Sequence, residues 1–135
     1  MKLYSYFRSS AAYRVRIALA LKGVPFDIEP VHLVNGGDEQ KLPEYTAINP
    51  QQLVPTLATD TGDRLTQSLA MLEFLEETYP QIPLLPEDKV ARAKVRVLCQ
   101  IIASDIHPLN NLRVLKYLKN TLNVRDAQKN AWYQH

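Results

Sequence analysis

"LYSYFRSSAAYRVRIALALKGVPFDIEPVHL" spans residues 3–33 and decides the fold of the N-terminal part of the chain. Its first segment, Leu3–Phe7, is short, apolar and aromatic, which is typical of a buried strand. In the next segment apolar residues alternate with arginine and alanine, as they would in a strand. Length and composition favour a helix over Ala11–Lys22 instead, with Ser10 as the N-cap and Gly23 just beyond the C-terminus.

The segment that follows this helix predicts a second strand. Phe26–Leu33 alternates imperfectly between apolar and polar residues, so the first 33 residues form a βαβ unit. Asn35–Asp38 is a loop because it combines asparagine, glycine and aspartate. Glu39–Tyr45 is long enough for a short irregular helix before Asn49.

Two short strands and one helix complete this part of the chain. Val54–Leu57 and Arg64–Thr66 are predicted strands, and the turn Asp60–Asp63 joins them. A helix follows, with Ser68 as its N-cap, and stops at Tyr79. A βαβ unit followed by a hairpin and a helix is the thioredoxin-like arrangement.

The remainder of the chain is predicted to be helical. Three prolines in Pro80–Pro86 indicate a linker. Apolar residues at helical spacing predict helices over Glu87–Ser104 and Pro108–Leu122, and a third helix begins with Asp126 as its N-cap and runs towards His135. The sequence therefore predicts an α/β domain at 1–79, a linker at 80–86 and an all-α part at 87–135.

Length, charge and cysteine content narrow the classes of function. A chain of 135 residues forms one ordinary domain, or a small domain plus part of another. The formal net charge of +2, with basic and acidic residues interspersed, does not indicate a nucleic-acid partner. No apolar run is long enough to span a bilayer, and the N-terminus lacks a signal-peptide core. The single cysteine, Cys99, excludes an internal disulfide and leaves no zinc pattern, so we expect a cytoplasmic protein without a metal site.

Four stretches of this sequence resemble one enzyme family in their order along the chain. They are SSAAYRVRIALALKGV (9–24), NPQQLVPTL (49–57), QSLAMLEFLEETYP (67–80) and LLPEDKVARAKVR (84–96). They resemble the zeta class of glutathione S-transferases, the maleylacetoacetate isomerase group, with the bacterial maleylpyruvate isomerases close beside it. Two residues depart from the family pattern, because Ala11 replaces a cysteine and Tyr13 replaces a tryptophan.

This resemblance implies the architecture and the partners of the protein. It implies an N-terminal thioredoxin-like domain that binds glutathione, followed by a partial helical glutathione-transferase domain. Similar family members continue for several more helices, so we expect this chain to be a fragment of a longer one. The family forms homodimers through the helix at Ser68–Thr78 and the first two helices of the second domain.

The serine pair has two interpretations. From the residues alone, Ser9 and Ser10 are good helix caps. A hydroxyl at a helix N-terminus can also donate to an anion, and such a donor would lower the pKa of a thiol held in front of it. The resemblance implies that Ser9 is this donor for glutathione, with Ser10 in support. Other transferase classes use a tyrosine near the N-terminus, but we expect Tyr4 and Tyr6 to be core and wall residues.

Five positions of the first domain, including Pro55, are implied to form the glutathione site. The resemblance implies that a cis peptide bond before Pro55 exposes the backbone of Val54 to the cysteinyl part of the tripeptide. It places Gln67 and Ser68 at the γ-glutamyl carboxylate and Gln40 at the glycyl end. Without the resemblance, Pro55 reads as an ordinary trans proline and Ser68 as a helix cap.

The resemblance also implies contacts to glutathione and to the substrate from three residues of the second domain and from Arg8. His107 corresponds to a family position that contacts glutathione from the second domain, and Asn111 and Arg113 to positions near the substrate. Arg8 directly precedes the serines and could face the substrate of this family, which carries two negative charges. From the residues alone, Arg8 is a surface cation, His107 is structural, and the asparagine belongs to a helix start.

The expected activity is glutathione-dependent cis–trans isomerisation of maleylacetoacetate or maleylpyruvate in the catabolism of tyrosine or other aromatic compounds. The proposed chemistry is reversible addition of a thiolate to the double bond. Two alternatives remain open: a general glutathione transferase acting on small electrophiles, and a non-catalytic glutathione-transferase-like dimerisation module.

Overall fold

A computed structural model describes residues 1–34, 36 and 38–134, which form two units. The first unit is Met1–Pro86 and the second begins at Glu87. The strands are β1 (Lys2–Ser5), β2 (Asp27–Pro30), β3 (Thr56–Ala58) and β4 (Arg64–Leu65); the helices are α1 (Ser10–Leu21), α2 (Pro43–Thr46), α3 (Ser68–Thr78), α4 (Lys89–Gln100), α5 (Leu112–Asn120) and α6 (Asp126–Gln134). Parts of the predicted loop, Asn35 and Gly37, and the predicted helix end at His135 lie outside the described residues.

The first unit is built on a sheet with the strand order β2-β1-β3-β4. β1 is parallel to β2 and antiparallel to β3, and β4 is antiparallel to β3. The carboxyl ends of β1, β2 and β4 therefore lie at the same edge of the sheet as the amino end of β3. We call this edge the site edge. The arrangement confirms the predicted thioredoxin-like fold.

β2 is shorter than the predicted strand Phe26–Leu33. It lies at the sheet edge and ends at Pro30, which has no N–H to continue a ladder. Beyond it, the N–H of Val31 still donates to the carbonyl of Ser5 at 2.9 Å. Ile28 faces solvent and Val31 is buried, so the predicted alternation does not extend along the whole segment.

α1 covers the segment whose periodicity was ambiguous, and its N-cap is Ser9, not the predicted Ser10. Ser9 has extended backbone angles (φ −76°, ψ 116°), and its Oγ accepts a hydrogen bond from the N–H of Ala12 at 3.2 Å. The core face of α1 packs against the sheet and α3, and burying each large apolar side chain there stabilises the fold by roughly 1.5–3 kcal/mol. The buried residues of this core cluster are Leu3, Val15, Ala18, Leu19, Val24, Leu57, Met71 and Leu75.

The N-cap of α3 is Gln67, and the prediction that Ser68 caps this helix is wrong. Gln67 has a left-handed φ of 65°, so the chain turns there and Ser68 is already the first helical residue. α3 ends before Tyr79, as predicted, and it buries Met71 and Leu75.

A buried ion pair fastens the end of α3 and the segment after it to α1. The side chain of Lys22 is fully buried and that of Glu76 is 9% exposed, and Nζ lies 2.7 Å from a carboxylate oxygen. Lys22 also donates to the carbonyls of Tyr79 and Ile82, at 2.9 and 2.8 Å. Glu76 accepts hydrogen bonds from the N–H groups of Leu84 and Leu85. We call this set of contacts the Lys22–Glu76 clamp; it holds the proline-rich segment 79–85 on the first unit.

The clamp predicts a loss of stability in acid. Burial alone would raise the pKa of Glu76, but the hydrogen bonds from Lys22 and from the Leu84 and Leu85 N–H groups bring the pKa below its ordinary value of 4.5. A carboxyl with a lowered folded-state pKa stabilises the fold above its unfolded pKa, and this contribution is lost as the pH falls through the folded pKa. The free-energy difference between wild type and Glu76→Gln should therefore be full at pH 6 and shrink below about pH 4.5. Urea unfolding from pH 7 to 3 measures it. The exposed neighbour Glu77 provides the control variant Glu77→Gln, and a difference that stays constant with pH would contradict the assignment.

Two helices of the second unit begin later than predicted because a capping side chain precedes each. Asp88 caps α4 by accepting from the N–H of Ala91 at 2.8 Å, so the helix starts two residues after the predicted position. Asn111 caps α5 by accepting from the N–H of Val114 at 3.1 Å. Pro108, the predicted start, lies before this cap.

The continuation of α4 and the start of α6 also differ from expectation. Ile101–Ile106 is π-helical, and the N–H of His107 donates to the carbonyl of Ile102, five residues back. Asp126 is the first residue of α6 rather than its cap. In the described part of this unit, α4, α5 and α6 contain no buried side chain, and large apolar residues such as Val97, Leu98 and Ile102 are exposed.

Within the described residues, no helix is both long enough and apolar enough to cross a membrane.

Candidate functional site

Four predicted site segments of the first unit converge on the site edge. Ser9 follows β1, Gln40 follows β2, Val54 and Pro55 precede β3, and Gln67 and Ser68 follow β4. A side-chain contact joins two of these segments directly, because Nε2 of Gln67 donates to Oε1 of Gln51 at 3.2 Å. The sheet topology thus brings together residues that are up to about 60 positions apart in sequence.

Ser9 can cap α1 and donate to a ligand at the same time. A hydroxyl has one proton and two acceptor lone pairs, and the bond from the Ala12 N–H uses only a lone pair. The proton of the half-buried Ser9 hydroxyl is therefore available to an anion in front of the helix. Ser10 is exposed in the first turn of α1. The two interpretations of Ser9 given by the sequence are compatible.

The groups around the serines differ in exposure. Arg8 is exposed, and the structure gives it no hydrogen bond or ion pair with any described residue. Tyr6 is buried and Tyr4 half-buried, which agrees with their expected place in the core and wall. Tyr13 is exposed, and the guanidinium of Arg16 lies 5.2 Å from the centre of its ring.

Val54 presents backbone groups that can pair with an extended ligand. The Val54–Pro55 peptide bond is cis, which confirms the geometry implied by the resemblance. Neither the N–H nor the C=O of Val54 has a hydrogen-bond partner among the described residues. A ligand with one amide N–H and one C=O could therefore add to this segment as a short strand does.

A buried hydrogen-bond network holds the loop that carries Val54. The hydroxyl of Tyr45 donates to the carbonyl of Leu53 at 2.6 Å and lies 2.9 Å from Oγ1 of Thr56. Nδ2 of Asn49 donates to the same carbonyl at 2.8 Å and to Oγ1 of Thr56 at 3.1 Å. Burial raises the pKa of Tyr45 above its ordinary value of 10.0, so the hydroxyl keeps the proton that it donates. The network fixes the backbone on both sides of Val54.

Removing Asn49 from this network should weaken binding at Val54. Asn49→Ala removes one of the two donors to the Leu53 carbonyl and the acceptor of the Gln51 N–H, and each lost hydrogen bond costs about 0.5–1.5 kcal/mol. If part of this cost appears as disorder of the loop, the dissociation constant of S-methylglutathione should rise about tenfold. Isothermal titration calorimetry measures it, with Thr61→Ala in the distant β3–β4 turn as control. Unchanged affinity in Asn49→Ala would show that the network does not position Val54.

At the start of α3 a strained backbone residue precedes a hydroxyl and N–H groups that are available to a ligand. Gln67 is a non-glycine residue at φ 65° and ψ 109°, a conformation that costs energy and is often found at ligand sites. Ser68 is buried, and its hydroxyl has no hydrogen-bond partner among the described residues. The first N–H groups of α3 have no intrahelical partner and favour an anion.

Gln40 is buried beside this edge with one polar atom unused. It is 8% exposed, and its Nε2 donates to a carboxylate oxygen of Asp38 at 3.2 Å. Its Oε1 is buried and has no hydrogen-bond partner among the residues that the structure describes. A buried acceptor without a donor is costly, so a ligand N–H at this point would be favourable.

The second unit contains the other three predicted site residues. His107 follows the π-helical segment and is half-buried. Asn111 caps α5, and its Nδ2 donates to the carbonyl of Pro108 at 2.9 Å. Arg113 is exposed in the first turn of α5. These residues lie within one seven-residue segment, which Trp132 of α6 contacts through a hydrogen bond to the carbonyl of Leu109 at 3.1 Å.

A cavity of about 270 Å³ beside the site edge contains none of the predicted residues. It is lined by Ser5, Tyr6, Phe7, Arg16, Ile28, Pro30, Val31 and His32. The predicted site residues of the first unit lie instead in the loops and helix starts along the site edge. Within residues 1–34, 36 and 38–134, no cluster of three or more His, Cys, Asp or Glu side chains could hold a metal ion.

Residues 8–78 match the family of glutathione S-transferase N-terminal domains. This match covers more than half of the chain and includes every predicted site residue of the first unit. The chain belongs to the glutathione S-transferase family. The resemblance found in the sequence is thereby confirmed.

Two curated relatives that resemble the chain along nearly its whole length are named as isomerases. Maleylacetoacetate isomerase of Pseudomonas aeruginosa is 50% identical over 135 residues, which are 100% of this chain and 63% of that protein. Maleylpyruvate isomerase of Ralstonia sp. is 50% identical over 133 residues, 98% of this chain and 61% of that protein. The chain thus spans about three fifths of the length of the curated relatives it matches.

Solved structures of glutathione S-transferases show the same fold. A holo maleylpyruvate isomerase, described as a bacterial zeta-class transferase, has a TM-score of 0.91 and 47% identity, covering 98% of this chain and 61% of its own. The maleylacetoacetate isomerase of Methylobacterium extorquens AM1, solved with bound malonate and glutathione, has a TM-score of 0.92 and 44% identity with the same coverage.

The sequence did not reveal the side chains that hold the loops of the site edge. Arg16 donates to the loop that carries Ser9, and Tyr45 and Asn49 donate to the loop that carries Val54. Thr56 contacts the side chains of Tyr45 and Asn49. No sequence signal pointed to a supporting role for any of these four residues. Asn49 carried only a turn signal, because asparagine before proline is typical of a turn. No local pattern distinguishes Arg16 from Arg14.

Proposed function

We propose that the protein is a glutathione-dependent cis–trans isomerase of maleylacetoacetate or maleylpyruvate. One observation carries the proposal: the available Ser9 hydroxyl, the unpaired backbone of Val54 and the N-terminus of α3 at Ser68 share one edge of the sheet. These groups match a thiol, an extended peptide backbone and a carboxylate, which glutathione combines in one molecule.

The residues present fit glutathione along its whole length. Ser68 and the first N–H groups of α3 would hold the γ-glutamyl carboxylate, with Gln67 beside it. Val54 would pair with the cysteinyl backbone through its N–H and C=O. The buried Oε1 of Gln40, which has no partner in the described chain, would accept from the glycyl amide. His107 of the second unit is proposed as a further contact.

Ser9 would activate the thiol of bound glutathione. Its hydroxyl would donate to the sulfur while its lone pair keeps the helix cap, so the helix N-terminus and the donor act together on the thiol. Ser10 supports it in the first turn. Since Ala11 carries no thiol where the family has cysteine, we expect the chemistry to survive and thiol-dependent inactivation at this position to be absent.

The remaining residues would recognise a dianionic substrate. When bound, glutathione would supply a thiolate for reversible addition to the alkene and would be recovered unchanged. Arg8 and Arg113 would supply positive charge for the carboxylates and for the negative charge that develops on the substrate carbonyl, and Asn111 would orient it. Ser9 would stabilise this thiolate through the hydroxyl proton that its helix cap leaves available.

The ultraviolet absorbance of maleylacetoacetate and of maleylpyruvate, followed in the presence and absence of glutathione, tests this proposal. We expect isomerisation of at least one substrate that needs glutathione and stops when S-methylglutathione, which has no thiol, replaces it. Turnover of aryl halides or α-halo acids without isomerisation would instead make the protein a general transferase. Binding of glutathione without any turnover would leave a non-catalytic module.

Assembly, domain limits and compartment are further parts of the proposal. We propose a homodimer formed through α3 and the first two helices of the second domain, supported by the exposed apolar residues Val97, Leu98 and Ile102. The proposed domains are 1–79 and 87–135, joined by a linker at 80–86. Cytoplasm is the proposed compartment, because there glutathione is kept as the free thiol.

A further inference from the structure

Arg16 contacts the loop before α1 through three hydrogen bonds. Nη1 donates to Oγ of Ser5 at 2.8 Å and to the carbonyl of Tyr6 at 3.5 Å, and Nη2 donates to the carbonyl of Phe7 at 3.2 Å. The guanidinium therefore spans the end of β1 and the first residues of the loop that leads to Ser9. Its planar fork can reach several acceptors in a fixed geometry, which an ammonium cannot do.

The carbonyl of Tyr6 connects Arg16 to Ser9. It also accepts the N–H of Ser9, at 3.0 Å, so one oxygen is held from both sides. Arg16 stands one turn after Ala12, whose N–H donates to the Ser9 side chain. Two residues of α1 therefore hold Ser9. Ala12 binds its side chain directly, and Arg16 holds the Tyr6 carbonyl that accepts its backbone N–H.

The charge of Arg16 is not neutralised by a carboxylate. No ion pair to Arg16 occurs in the described part of the chain, although the residue is half-buried. Its acceptors are carbonyl and hydroxyl oxygens, and the ring of Tyr13 covers one side. An arginine placed only for surface solubility would not be expected to point inward at backbone carbonyls.

We propose that Arg16 is a positioning residue for Ser9: it holds the Tyr6 and Phe7 carbonyls and thereby fixes the orientation of the Ser9 hydroxyl towards the thiol of bound glutathione. This inference rests on the proposed function. Arg16 acts through Ser9 and need not contact the ligand.

The decisive measurement is a titration of the glutathione-loaded protein, in which thiolate absorbance near 240 nm reports the pKa of the bound thiol. A hydrogen bond to a charged group is worth enough for Ser9→Ala to raise this pKa by about 1–2. We expect Arg16→Met to raise it by about half as much or more. Arg16→Lys, which keeps the charge but not the fork, should recover less than half of the loss.

A double-mutant cycle separates positioning from other effects. If Arg16 acts through Ser9, Arg16→Met should change the pKa of the bound thiol by less than about 0.3 in a Ser9→Ala background. Additive shifts would overturn the inference, as would full recovery in Arg16→Lys. Arg14→Met removes the same charge from the same helix, and an equal shift in that variant would also overturn it.

Amide hydrogen exchange gives a readout that does not depend on the ligand. In Arg16→Met the protection of the Ser9 N–H should fall while that of Leu19 in the core part of α1 stays, which also shows that the variant is folded. Unchanged protection at Ser9 would contradict the inference.

The outcomes distinguish this inference from the proposed function. If wild type does not lower the pKa of the bound thiol below that of free glutathione, both proposals fail. If Ser9→Ala raises the pKa of the bound thiol and Arg16→Met does not, only the role of Arg16 fails.

Discussion

Replacing Ser9 with alanine is expected to lower the glutathione-dependent isomerisation rate at pH 7 by about 10–30-fold. The thiol of free glutathione has a pKa near the cysteine value of about 8.5, so only a few per cent is thiolate at pH 7. A hydroxyl that donates to the sulfur at a helix N-terminus lowers the pKa of the thiol and makes most of it thiolate. Without the donor, the reactive fraction returns towards its value in solution.

The rate defect of Ser9→Ala should decrease as the pH rises. The rate of Ser9→Ala should rise with pH up to about 8.5, because hydroxide in solution then produces the thiolate that the enzyme no longer stabilises. The rate of wild type should level off at lower pH. The defect of the variant is therefore largest near neutral pH and becomes small at pH 9. A defect that is equal at all pH values would mean that Ser9 does not act on the thiol.

A matched variant separates donation from helix capping. Alanine at an N-cap costs about 0.5–2 kcal/mol, whereas glycine costs only a few tenths. Ser9→Gly should therefore unfold at nearly the same urea concentration as wild type and yet lose as much activity as Ser9→Ala. If Ser9→Gly retains activity, capping explains the role of Ser9 and the hydroxyl does not.

The sequence predicted the elements of the first unit because their signals are local. A short aromatic strand, a helix rich in alanine, leucine and arginine, and a hairpin turn are each encoded within about 12 residues. The ends of the elements were less accurate. Serine is a common cap, which predicts Ser10 and Ser68 at these positions, but the backbone angles of Ser9 and Gln67 decide the two helix starts.

The candidate site residues could be chosen from the sequence, whereas the side chains that hold their loops could not. The serine pair, Val54 and Ser68 follow a recognisable family pattern that strings them along the chain. Arg16 and Asn49 act through carbonyl oxygens of loops, and no sequence pattern records which carbonyl lies within reach of a side chain. Such contacts depend on the tertiary structure alone.

Lys22 was not predicted either, and its replacement should cause the largest loss of stability in the first unit. Lys22→Met removes one partner of a buried ion pair, which costs about 3–5 kcal/mol because the remaining charge is left without compensation. The Glu76 side chain, which is 9% exposed, would lose its counter-charge, and the carbonyls of Tyr79 and Ile82 would lose their donor. We expect the urea midpoint to fall strongly, with local opening of the segment 79–85.

Two variants test whether this loss comes from the buried pair. The exposed pair of Lys2 and Glu29, at 3.2 Å, joins β1 and β2 on the surface, and Lys2→Met should cost no more than about 1 kcal/mol. In Lys22→Met/Glu76→Gln the amide can still accept from Leu84 and Leu85 but carries no charge, so the double variant should be more stable than Lys22→Met alone. Urea unfolding measures all three variants, and amide exchange at Leu84 and Leu85 reports the clamp directly. If Lys22→Met loses no more stability than Lys2→Met, the Lys22–Glu76 clamp stabilises the fold no more than an exposed ion pair does. The segment 79–85 must then be held by apolar packing of Leu84 against the core.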